Sequence, residues 1–513
     1  MQAYDLLIVG GGINGAAVAR DAAGRGLSVC LLDAGDPGGA TSWASSKLIH
    51  GGLRYLEQYA FGLVRESLQE RATLMRIAPH LTRPCRFVLP HTPEQRPAWM
   101  IQLGLWLYDH IGGSGALPAA TRIRLDDGSE WAAPLKPGYQ QGFVYFDVQV
   151  DDARLVILTL RDAEARGADI LTHARFVGAQ REVDGDWVCR VQSNGSNGND
   201  TQVRAKAIVN AAGPWVAKVL DTLDGGHNSS HPQVQLVRGS HIVVPRCHAG
   251  DHAYTLQNDD GRVIFLLPFH THWTLIGTTD VRADAPSPSP EASEAEVAYL
   301  LRAANRYLAQ PLSEADIVWR FAGLRPLYDD GKANPSRVTR DYKLVLDAAQ
   351  DTPLLSIFGG KLTTHRHLAE EVLHTLSQWF PHLGTPWTAG TPLPGGDGDF
   401  TAATAEFFQA FHHLPGIIVE GLWARHGTLA FGLLENVNSS ADLGRDFGAG
   451  LCELEAIHFI RNEWAHSADD ILWRRTKAGL AMSAQQQQDF AQWFAENHPQ
   501  HQQHRNTENK ASA

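Results

Sequence analysis

The stretch that most restricts the fold is Gly10-Gly11-Gly12-Ile13-Asn14-Gly15, a G-x-G-x-x-G run in a chain of 513 residues. The apolar segment from Tyr4 to Val9 reads as a buried strand, Ile13 to Arg25 as a helix, and Leu27 to Asp33 as a second strand. In such a strand–turn–helix, Gly10 allows the tight turn and Gly12 lets the backbone approach a pyrophosphate at the helix N-terminus. Gly15 lets helix and strand pack closely, and Asn14 lies inside the turn. Asp33 closes the second strand, where a carboxylate can accept hydrogen bonds from ribose hydroxyls. A glycine-rich loop alone says little. Strand, helix, spacing and acid together predict a dinucleotide-binding βαβ unit.

Three distant segments favour FAD over a nicotinamide. The run from Ala40 to Lys47 offers hydroxyls and a cation (Thr41, Ser42, Ser46 and Lys47) to a pyrophosphate or a flavin edge. Ile208-Val209-Asn210-Ala211-Ala212-Gly213 reads as a buried strand ending in small residues, with Ala212 and Gly213 where a backbone would pass close to a cofactor. Ser356 to Thr364 is another strand, glycine turn and helix start; Gly360, Lys361, Leu362 and Thr363 fall where N–H dipoles could meet the flavin's electron-rich end.

Composition sets the frame for these motifs. The length suits two or three domains, and 43% hydrophobic residues can bury a large core. A net charge of −12 argues against nucleic acid as a partner, since phosphate-backbone binding needs clustered positive charge. Cys30, Cys85, Cys189, Cys247 and Cys452 are scattered, which suits a reducing compartment. There is no H-E-x-x-H, and no metal is expected. No signal peptide or spanning helix is evident, so a soluble or membrane-surface protein is expected. The Trp- and Leu-rich run from Ala98 to Tyr108 reads first as a buried helix and second as a segment dipping into a membrane interface. From Thr401 to about Asn497 the period is helical, with a loop expected at Gly444–Gly450.

Longer motifs carry a closer resemblance. Ser45-Ser46-Lys47-Leu48-Ile49-His50-Gly51-Gly52-Leu53-Arg54-Tyr55-Leu56 resembles the signature of FAD-dependent glycerol-3-phosphate dehydrogenases. So do Gly239-Ser240-His241-Ile242-Val243-Val244-Pro245-Arg246, Gly323-Leu324-Arg325-Pro326-Leu327 and Phe358-Gly359-Gly360-Lys361-Leu362-Thr363-Thr364. Asp442-Leu443-Gly444 and the run from Asp470 to Lys477 resemble that family's C-terminal domain. The motifs are collinear and span all but the tail. Asp33 departs from the many relatives with Glu there, keeping the charge with a shorter reach.

The resemblance implies oxidation of sn-glycerol 3-phosphate to dihydroxyacetone phosphate. FAD would take the hydride and ubiquinone or menaquinone the electrons, in a cytoplasmic protein peripheral on the inner face of the cytoplasmic membrane. A phosphate dianion suits guanidinium forks, for which Arg54, Arg325 and Arg340 are candidates, with Tyr55 as a further substrate contact. His241 is the candidate base, and Lys361 could polarise the substrate or favour an anionic reduced flavin. A glycerol-3-phosphate oxidase using oxygen and a non-catalytic flavin-binding sensor remain alternatives. The implied fold is α/β: a Rossmann-like FAD domain (1–80, 145–225, 320–390) with an inserted antiparallel-sheet substrate domain (81–144, 226–319). A helical C-terminal domain (395–497) and a disordered tail (498–513) follow, and dimerisation or partner docking by the helices is open.

Overall fold

Leu6 and Ile8 pack on one face of the strand Gln2–Val9, and Leu7 and Val9 on the other. A strand apolar on both faces belongs inside a parallel sheet covered on both sides. In the computed structural model, which describes residues 2–92, 95–113, 117–126, 128–182, 185–193, 200–223, 233–329 and 341–497, it sits at the centre of such a sheet. The order is Asp169–Leu171, Val29–Leu32, Gln2–Val9, Thr201–Asn210, Leu354–Phe358 and Lys343–Asp347, parallel except for the last pair. Helices Ile13–Gly24, Asp152–Ala165 and His365–Leu376 cover one face, and Ala174–Arg181 with Trp187–Ser193 covers the other. The predicted tail lies outside the described residues.

A second, ten-stranded sheet is mostly antiparallel and carries helix Glu294–Asn305 on one side. Gln141–Val150 and Trp319–Tyr328 lie wholly in this larger sheet, paired with Thr82–His91 and Val234–Pro245. Their apolar alternation fits either sheet; only pairing decides. The pairing also sets the site, because Trp319–Tyr328 brings Arg325 beside the strand bearing His241.

The C-terminal domain is helical as expected, with its own apolar clusters around Phe407 and Phe459. The loop expected at Gly444–Gly450 contains the first strand of a small hairpin, Asp446–Gly448 with Leu451–Cys452. Charges hold this domain to the first sheet. Asp36 takes both Arg475 (2.7 and 2.9 Å) and Arg474, Lys477 reaches Asp151 at 2.5 Å, and buried Arg154 grips Glu463. Unpairing one such buried ion would cost about 3–5 kcal/mol.

Candidate functional site

The dinucleotide end is built from two turns 345 residues apart in sequence, joined where Asn14 Nδ2 donates to Gly359 O at 3.1 Å. A Cβ on Gly15 would lie 1.9 Å from Gly10 O, so only glycine lets helix and strand approach this closely. The Asp33 carboxylate accepts from Gly11 N (2.7 Å) and Gly35 N (2.8 Å), which fixes it at the strand end predicted for the ribose. Burial raises its carboxyl to about 6 against the pull of those two amides.

The hydroxyl-rich loop is employed differently from the sequence expectation. Ser42 Oγ accepts from Ile13 N at 3.0 Å, satisfying one of the unpaired amides at the helix start beside Gly12. Thr41 donates to Leu324 O at 2.8 Å, tying the loop to the second sheet. Ser46 meets His241 Nε2 at 2.9 Å. The ammonium of Lys47 spends its three donors on Trp43 O and both oxygens of buried Asp152, at 2.7, 2.8 and 2.9 Å, a buried counter-charge pairing. Thr363 Oγ1 similarly bonds the backbone of His50, and Leu362 O accepts from His365 Nδ1 at 2.7 Å.

His241 and Arg325 stand on one face of adjacent strands. His241 pairs with Phe321 and Gly239 with Gly323, and Val237 with Arg325. The His241 ring is 2% exposed and stacks on Phe321, 4.9 Å between centroids. Two strand glycines clear the space: a Cβ on Gly277 would lie 2.0 Å from His241 Cδ2, and one on Gly239 2.4 Å from Arg325 Nη2. Burial first, then the nearby charges of Arg325 and Lys47, hold the imidazole well below its ordinary value of 6.5, so it is neutral at physiological pH. Arg325 is itself held by Thr278 Oγ1 (2.9 Å), Thr279 O (3.4 Å) and Asp280.

Lys361 lies 4.2 Å from the ring of Tyr55, so the turn after Leu354–Phe358 meets the segment that follows Gly51-Gly52. The side chain of Arg54 and the whole of Arg340 lie outside the described residues. Ala212 and Gly213 follow the strand Thr201–Asn210, beside Gly10, and a Cβ on Gly213 would meet nothing within 4 Å. Sequence reading missed Asp152, Asp280, Thr278 and Phe321. Only Gly239 and Gly277 carried a usable signal, since glycine within an apolar strand marks a close approach. His270 and His272 occupy the turn between Val263–Phe269 and Trp273–Gly277.

Residues 5–366 match the family described as FAD dependent oxidoreductase, and residues 386–497 match the C-terminal domain of alpha-glycerophosphate oxidase. The chain is 47% identical to the glycerol-3-phosphate dehydrogenase of Pseudomonas aeruginosa, covering 97% of this chain and 96% of that one. It is 44% identical to the aerobic glycerol-3-phosphate dehydrogenase of Escherichia coli, over 97% of this chain and 98% of the relative. This chain belongs to the FAD-dependent glycerol-3-phosphate dehydrogenase family. A D-erythritol 1-phosphate dehydrogenase of Brucella abortus is 45% identical, over 96% of this chain and 98% of that one. Among solved structures, the glycerol-3-phosphate dehydrogenase from Bacillus halodurans complexed with FAD superposes with a TM-score of 0.74 at 26% identity, covering 97% of this chain and 91% of that one.

The protein is therefore an oxidoreductase with FAD as its cofactor. The residues present fit that group. Asn14 Oδ1 and Thr364 Oγ1 are buried without a hydrogen-bond partner among the described residues, on either side of the joined turns. Gly359 and Gly360 both have left-handed φ, +80° and +104°, turning the chain directly before Lys361. Gly10, Gly12, Asn14, Asp33, Ser42, Ala212, Gly213 and Gly360 form the proposed cradle.

Proposed function

We propose that this protein oxidises the C2 hydroxyl of sn-glycerol 3-phosphate to give dihydroxyacetone phosphate, and that a membrane quinone receives the electrons. The observation that carries the reading is the neutral, buried imidazole of His241 on the same strand face as the guanidinium of Arg325. Arg325 binds the phosphate with its planar fork, assisted by Arg54 and Arg340, and Tyr55 contacts the substrate. His241 accepts the hydroxyl proton on its unprotonated ring nitrogen. Bound FAD supplies the acceptor for the hydride that leaves C2. Lys361 places a positive charge at that end of the pocket, steadied over Tyr55. The Brucella abortus relative supports a second reading, the same oxidation on a longer phosphorylated polyol.

Helix Ala98–Ile111 supports membrane contact. Trp99 is 64% and Trp106 52% exposed, with Leu103 and Met100 beside them, contrary to the buried helix read first from sequence. Tyr59 and Phe61 are exposed on the segment leading into the neighbouring helix Phe61–Ile77. No helix among the described residues is long and apolar enough to cross a membrane. A helix that lays tryptophans and leucine outward suits the headgroup boundary. With liposomes containing ubiquinone and glycerol 3-phosphate as the reductant, the holoenzyme should sediment with lipid and form quinol, while Trp99→Asp with Trp106→Asp should lose most of both and keep flavin content. Peroxide in place of quinol would favour an oxidase. Unchanged lipid binding by the variant would remove this helix as the contact.

A further inference from the structure

Along Val234–Pro245, alternate residues face opposite layers. His241 stacks on Phe321 on the face shared with Arg325, whereas Ile242 packs with Val297 and Leu300 of helix Glu294–Asn305. Ser240 shares the helix side, and behind it lies Glu296, 4% exposed. Glu296 Oε1 accepts from Ser240 Oγ at 2.9 Å and from Thr279 Oγ1 at 2.7 Å. Its Oε2 accepts from Ser293 N (3.1 Å) and Ser293 Oγ (2.7 Å), and pairs with Arg238 at 2.8 Å. Thr279 Oγ1 in turn accepts from Ser240 N at 2.9 Å, locking the loop to the strand beside His241.

The other side of that loop holds the guanidinium. Thr278, Thr279 and Asp280 each accept from Arg325. One buried carboxylate therefore fixes both the three-residue grip on Arg325 and the strand position next to His241. Capping the helix needs only the Ser293 contacts, which Glu296 makes with one oxygen. The second oxygen goes wholly to Ser240 and Thr279, the neighbours in sequence of His241 and Thr278. We infer that Glu296 is a positioning residue for the oxidation: it sets the phosphate anchor and the base relative to one another from behind the sheet. The inference rests on the proposed roles of Arg325 and His241.

The test compares Glu296→Gln with the unsubstituted holoenzyme, in an otherwise wild-type chain and in an Arg325→Ala background. The readouts are KM and kcat for glycerol 3-phosphate, together with the calorimetric Kd of dihydroxyacetone phosphate. Glutamine keeps the shape and loses the charge that pairs with Arg238 and accepts from every neighbour. We expect KM and Kd to rise about tenfold in the wild-type background and KM to change less than about twofold when Arg325 is already absent. A tenfold rise in both backgrounds would mark a general structural role and overturn the inference, as would no change in the first. Should Glu296→Gln not fold, Thr279→Val carries the same expectation, because it removes the hydroxyl linking Glu296 to the loop. Unsubstituted holoenzyme that binds no dihydroxyacetone phosphate would instead overturn the phosphate reading itself.

Discussion

Replacing His241 with alanine is expected to slow flavin reduction by glycerol 3-phosphate by about 10²–10⁴-fold, the usual worth of a positioned base. The side chain is buried, its Nε2 is engaged by Ser46 at 2.9 Å, and its Nδ1 has no partner among the described residues. Burial and the neighbouring cations hold it neutral well below pH 6.5, so the wild-type base should stay competent through pH 6 and fail only as pH falls further. The sign for stability is the same. The unfolded chain protonates this histidine first, near pH 6.5, so folding stability is full above that value and is lost as pH falls toward the depressed folded value. His241→Ala should therefore react slowly at every pH and unfold less readily than wild type as acid is added. Equal reduction rates in both proteins across pH 5–9 would remove His241 as the base.

Arg325→Ala is expected to raise KM for glycerol 3-phosphate by roughly 10²-fold or more. Truncating one partner of a desolvated charge pair costs about 2–5 kcal/mol, and each 1.4 kcal/mol is tenfold. The variant also removes the guanidinium that pairs with Asp280 here. Arg325→Lys should recover only part of the loss, since an ammonium keeps the charge without the bidentate fork. Steady-state kinetics with glycerol 3-phosphate checks both variants. An Arg325→Ala protein with wild-type KM would refute the phosphate assignment.

The dinucleotide unit was legible because its demands are backbone demands: Gly15 answers to Gly10 O within its own turn, and Gly10 to the backbone of Ala211 and Ala212 at the end of the adjacent strand. His241 and Arg325 were legible as motif residues, but their shared face depends on the register of two strands separated by most of a domain. The hydroxyl loop was half legible. Its composition pointed to the cofactor, yet Lys47 answers to Asp152, 105 residues away, and Ser46 to His241, 195 away. The same distance hid Asp36, whose partner Arg474 lies 438 residues on. Helix Ala98–Ile111 has the composition of a core helix, and its exposure is set by what the fold leaves unpacked around Trp99 and Trp106.

The central claim is that this pocket takes a hydride from a phosphorylated polyol. Anaerobic titration of the oxidised holoenzyme, followed by the flavin absorbance, tests it most directly. Stoichiometric bleaching by sn-glycerol 3-phosphate at low concentration is predicted, with none from glycerol at the same concentration. Bleaching by D-erythritol 1-phosphate at much lower concentration would assign the longer substrate. A spectrum unmoved by either phosphate ester would contradict the account.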